Sequence, residues 1–172
     1  MSKPLIFLDI DGVVNAFPTV KLKERHDYQF VEVFSPSKQL VFPIHYRPEV
    51  VDRLNALSRI GDLRWLTTWV QEAATEFAPA VGLVNFPALW HSDARERLNK
   101  DCYSLDWWKL KLVEQYAGGR PFVWIDDDIS KPIRTHIKSR FSDALMITPY
   151  PNSGLMDEDL DRIDQWLIGG NE

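Results

Sequence analysis

At 172 residues, 45% of them hydrophobic, the chain has material for one well-buried domain, residues 1–172, and too little for two ordinary ones. Its net charge of -5 offers no general attraction to nucleic acid or anionic lipid, so either partner would need a local basic patch. Cys102 is the only cysteine, which excludes an intrachain disulfide and a multi-cysteine zinc site, and no stretch reads as a signal peptide or membrane span, so a cytoplasmic setting is expected.

In chain order, residues 5–10, LIFLDI, are an apolar run ending in acid, the pattern of a central strand covered on both faces. Within 16–47, YQFVEVF and QLVFPI flank Ser35-Pro36-Ser37 and predict a hairpin. Pro48 opens a helix with the stripe Val51, Leu54, Leu57 and Leu63, which Gly61 interrupts as a C-terminal stop. LRWLTT, 63–68, reads as a second buried strand, followed by a helix over 70–78 and a short strand at GLVNF, 82–86. Ser104 is the expected cap of a helix through LDWWKLKLVEQYA that stops at Gly118-Gly119. PFVWI, 121–125, is a strand leading into Asp126, Asp127 and Asp128. ALMITP is the last strand and DEDLDRIDQWLIGG the last helix. Strands alternating with helices predict an α/β fold with a mostly parallel sheet.

Two strands therefore end in acids and a third in the hydroxyls of Thr67 and Thr68. In open parallel sheets the carboxyl ends of the strands form the ligand site, so these groups should converge. Carboxylates at that density repel one another unless a cation sits among them, and all-oxygen ligation suits a hard divalent ion, Mg²⁺ above all. Metal, lysine and hydroxyl together bind phosphate and stabilise its transfer.

The order of the motifs is specific. Asp9-Ile10-Asp11-Gly12-Val13-Val14-Asn15 comes first, then LRWLTTW, then Lys109 near a helix start, then VWIDDD. A response-regulator receiver gathers similar groups with its lysine after the paired acids, whereas Lys109 precedes them here, and no Walker-type loop exists. Over residues 5–128 the chain resembles the haloacid-dehalogenase (HAD) superfamily of phosphatases. It is similar to small bacterial members with a minimal cap or none, from whose WATTW-like second motif Leu66 departs.

That resemblance implies a Rossmann-like three-layer sandwich. It implies an aspartyl-phosphate on Asp9, with Asp11 as general acid and base. It implies Mg²⁺ held by Asp9, the Asp11 carbonyl and Asp126, with Asp127 as ligand, outer partner or orienting acid. One of Thr67 and Thr68, with Thr67 favoured by the family pattern, and Lys109 would bind the transferring oxygens. Lys109 and Lys111 cannot share a helix face, and the WWK pattern selects Lys109. Asp128 reads as a helix-start acid beside Ser130, and His26, His45, His91 and His136 as surface or core residues.

The substrate class implied is a phosphomonoester. Residues 16–47 give a hairpin flap or minimal cap, and the segment around FPALWHSDARERLNKDCYS is too small for a full cap, so an open site is expected, with either a bulky substrate or a cap supplied by another subunit. No membrane partner is expected. Nucleic acid is not expected as a general partner, while a phosphorylated nucleic-acid end stays open as substrate. Trp69, Trp107 and Trp108 read first as packing and second as base-stacking residues. Lys131, Arg134 and Lys138 fall on one helical face, read as solvated. The competing reading is a non-catalytic domain of the same fold that binds a phosphorylated ligand or partner.

Overall fold

A computed structural model describes residues 3–90 and 99–169. His91 and the rest of 91–98, part of the second candidate cap segment, lie outside the described residues. Strand β1 (Leu5–Leu8) is buried along its whole length, as an apolar run between two helical layers must be. It lies at the centre of a parallel sheet of order β4-β1-β5-β6, with β4 (Asp62–Trp65), β5 (Phe122–Ile125) and β6 (Ala144–Ile147).

Side chains alternate across this sheet. Ile6, Leu8, Val123 and Ile125 face α2 (Pro48–Ile60) and α6 (Asp157–Gly169), packing with Leu54, Leu57, Leu160 and Ile163. Leu5, Phe7, Phe122 and Trp124 face α4 (Trp108–Ala117) and α5 (Lys131–Arg140), packing with Leu110, Val113, Ile133 and Ile137. The result is a three-layer α/β sandwich, and burial of a side chain such as Leu54 contributes about 2 kcal/mol to it.

A short helix, α1 (Val20–Arg25), which the sequence did not suggest, leads into an antiparallel hairpin of β2 (Gln29–Ser35) and β3 (Leu40–Tyr46). This is the expected hairpin. Ser35 Oγ and the Ser37 N–H both donate to the Glu72 carboxylate, at 2.5 and 2.6 Å, and pin the hairpin turn to the body.

Several local expectations are corrected. GLVNF is not a strand: beyond β4 only Ala88 bridges to Trp65, because Pro87 has no N–H to extend a ladder. The helix expected over 70–78 starts later. Val70 takes a left-handed φ of 52°, a π-helical turn follows at Ala73–Phe77, and α3 (Ala78–Val81) completes it. Ser104 does not cap α4. It makes a turn in which its Oγ accepts from Asp106 N–H, and Trp107 precedes the helix. Gly61 ends α2 with an extended backbone, and a Cβ there would stand 2.6 Å from Ile6 Cδ1, so the end of that side chain would have to shift. Arg134 leaves the basic face and donates to Met146 O and to Thr148 Oγ1.

Candidate active site

Parallel register brings the strand ends together. Leu8 lies opposite Ile125, so Asp9 and Asp126 leave neighbouring strands side by side. Their own N–H groups continue the sheet ladder to Ile125 O and Ile147 O, which fixes both Cα positions. From the other side, the first turn of α4 delivers Lys109, whose Nζ donates to Asp9 Oδ2 at 2.5 Å and Asp126 Oδ2 at 2.6 Å. All three side chains are buried. The remaining carboxylate oxygens are also held: Asp9 Oδ1 accepts from Ile10 N–H at 2.7 Å and Asp126 Oδ1 from Asp128 N–H at 2.9 Å.

After Asp9 the chain turns tightly around one atom, the Ile10 carbonyl, which accepts the N–H groups of Val13, Val14 and Asn15. The turn requires Gly12, whose φ is 74° and where a Cβ would collide with the Asp127 carboxylate. It also lifts the Asp11 side chain away from Asp9. Asp11 Oδ1 accepts from Asn15 Nδ2 at 2.8 Å and Oδ2 from Trp69 Nε1 at 3.0 Å. Asn15 in turn accepts His45 N–H through Oδ1 at 3.0 Å, which ties this acid to the flap.

Asp9, Asp126 and Asp127 offer carboxylate oxygens within 4.8 Å of one another, and Asp11 offers none to that group. Three hard oxygen donors with one ammonium among them suit a divalent cation, so the residues fit Mg²⁺. Electrostatics agree. Burial, reinforced by the Asp9 charge, lifts Asp126 to about 7 against the pull of Lys109, and burial with Asp9 and Asp128 lifts Asp127 to about 6. Burial opposes the Lys109 charge, but Asp126 and Asp9 outweigh it and hold the ammonium above its usual value. Lys109 is thus cationic and pairs with both Asp9 and Asp126.

Above these groups opens a cavity of about 210 Å³, lined by Asp9, Asp11, Thr68, Lys109 and Asp127 among others. Thr67 is buried beneath, where its Oγ1 accepts from Trp69 N–H at 3.4 Å, and Thr68 is the exposed hydroxyl on the cavity wall. Lys111 lies outside, half-exposed and 3.5 Å from Asp106. Asp128 is not in the first turn of α5; it precedes Ser130 and lines the cavity. Trp69 is packed and donates to Asp11, and Trp107 stacks on Trp124 at 5.5 Å.

Sequence reading missed Asn15 as the partner of Asp11, and Phe17 and Lys100 as cavity residues. Asn15 stands inside the first motif, and its spacing of four from Asp11 on a tight turn was the available signal. Phe17 and Lys100 sit in irregular segments without periodicity, so nothing local marked them.

A family model described as the HAD domain in Swiss Army Knife RNA repair proteins matches residues 5–160, from the start of β1 into α6. Comparison with curated proteins gives no significant match. The family supports phosphohydrolase-type chemistry in general terms, and the acid cluster at the strand ends is in keeping with it. By ordered motifs, sheet topology and the extent of that match, the chain belongs to this HAD-domain family, within the HAD-like superfamily.

Proposed function

We propose that this protein is a Mg²⁺-dependent phosphohydrolase that hydrolyses a phosphomonoester at a nucleic-acid end to release inorganic phosphate, with Asp9 as nucleophile and Asp11 as general acid and base. The observation that carries the reading is the division of the two acids. Asp9 is locked to Lys109 beside Asp126, while Asp11 is held apart by Asn15 and Trp69. RNA is the favoured polymer because the family is described from RNA repair proteins.

In the first step an Asp9 oxygen bonds to phosphorus as the bond to the leaving oxygen breaks, and Asp11 gives that oxygen its proton. In the second, water attacks phosphorus, Asp11 takes the water's proton, and the bond to Asp9 breaks to release inorganic phosphate. Ile10 N–H and Lys109 fix the rotation of the Asp9 carboxylate through both steps. Lys109 and a hydroxyl of Thr67 or Thr68 bind the transferring oxygens. Asp9, Asp126, Asp127 and the Asp11 main chain would hold Mg²⁺, which supplies charge neutralisation for an incoming phosphate dianion. Residues 16–47 act as a minimal cap, leaving the site open to a polymer end.

Hydrolysis of an aryl phosphate and of end-phosphorylated oligoribonucleotides, with Mg²⁺ and with chelator, tests this directly. Metal-dependent turnover that is lost in Asp9→Asn is expected. No turnover of any phosphate would return the competing reading, a domain that only binds a phosphorylated ligand.

A further inference from the structure

Beside the catalytic cavity lies a second one of about 160 Å³, lined by Thr68, Val70, Trp90, Lys100 and Trp108. Thr68, Lys100 and Trp108 line both, so the two spaces share a wall. The catalytic cavity is rich in carboxylates, whereas this one is walled mainly by two indoles and an isopropyl group. Nothing in the proposed phosphoryl chemistry uses it.

Its wall also carries one of the two non-glycine residues with positive φ among the described residues. Val70 is β-branched and sits at φ 52°, a left-handed conformation that such residues avoid. Backbone strain of this kind persists only where surrounding structure enforces it, and it concentrates at ligand sites. Here the turn from Thr67 through Val70 sets the Thr68 hydroxyl at the catalytic cavity and the Val70 side chain at the neighbouring slot.

We propose that this slot binds the nucleobase of the nucleotide whose phosphate enters the catalytic cavity, stacking it against Trp90 and Trp108. The inference rests on the reading of the site as a phosphatase of nucleic-acid ends and names the part of the substrate it grips. A base is planar and apolar on its faces, and a tryptophan face accepts any base by stacking, without reading its sequence. Lys100, which lines both cavities, supplies the cation for a backbone phosphate that lies between the two spaces. A sugar phosphate without a base would fill only the acidic half of the site.

The test measures binding by calorimetry in the Asp9→Asn protein with Mg²⁺, so that ligand is not consumed. Adenosine monophosphates, phosphorylated at either end of the ribose, are compared with ribose phosphate. The expected result is a preference of about tenfold or more for the nucleotide, which collapses toward unity in Trp90→Ala and returns in Trp90→Phe. Equal affinity for nucleotide and ribose phosphate in the parent protein overturns the proposal, whether or not the Trp90 variants fold. A preference that survives Trp90→Ala in folded protein also overturns it, because the base then sits elsewhere. Turnover is read separately with the unsubstituted chain: failure to hydrolyse any phosphate overturns the phosphatase reading, while the base preference alone decides the slot.

Discussion

The Trp69 indole donates its N–H to Asp11 Oδ2 across 3.0 Å, linking the last residue of the second motif to the second acid of the first. Lys109 instead bonds to Asp9 and Asp126. The two acids of the D-x-D pair therefore occupy different environments: one beside a buried ammonium, the other under an indole and an amide. Different environments are what different chemical roles require.

Trp69→Phe keeps most of the packing against Phe42 and Phe77 and removes only the N–H. If the indole positions Asp11 as a proton donor, the loss in kcat/KM should reach about tenfold for an alkyl phosphate, whose leaving group needs a proton. For 4-nitrophenyl phosphate, whose leaving group does not, the loss should be clearly smaller. Equal losses on both substrates would assign Trp69 a structural role only.

Lys109→Ala should lower kcat/KM far more than Lys111→Ala, by on the order of 3 kcal/mol, the scale of a charge-assisted hydrogen bond to the transition state in a dry site. Lys109 is nearly buried between two carboxylates, and Lys111 is half-exposed beside Asp106. Steady-state kinetics on one aryl phosphate decides the ranking, and the reverse order would remove Lys109 from the site.

The raised acids give a pH signature. Asp127, near 6, and Asp126, near 7, bind protons more tightly in the folded protein than in the unfolded chain. Their contribution to stability is therefore full below the ordinary carboxylate pKa and is lost as pH rises through these values. Mg²⁺ needs the ionised carboxylates, so its stabilising effect should run the other way. The Tm increment from added Mg²⁺ should be small at about pH 5 and grow by about pH 8, and Asp127→Asn should reduce it. An increment independent of pH would mean that these acids do not take up the ion.

Much of this arrangement was readable because it is built on buried strands. LIFL and FVWI are apolar without interruption, so they had to be central, and acids at their ends had to meet beyond the sheet. Lys109 was selected over Lys111 by a family pattern, and the structure brings Lys109 to Asp9 and Asp126. What sequence did not show depends on single backbone positions and distant pairings. The left-handed Val70 delayed a helix that hydrophobic spacing placed earlier, and the missing N–H of Pro87 reduced a strand to one bridge. The Trp69 to Asp11 bond joins residues 58 apart, and the tie from Asn15 to His45 depends on how the flap folds back. No local periodicity encodes either.

The most direct test of the divided acids is acid-quench trapping of phosphoenzyme with an activated aryl phosphate. In Asp11→Asn, Asp9 still attacks, because a nitrophenolate departs without a proton, but the water of the second step has lost its base. Phosphate should accumulate on Asp9 above the level in the unsubstituted protein, as an adduct labile to hydroxylamine, and none should form in Asp9→Asn. Phosphate found on Ser, Thr or His, or turnover retained by Asp9→Asn, would contradict the account.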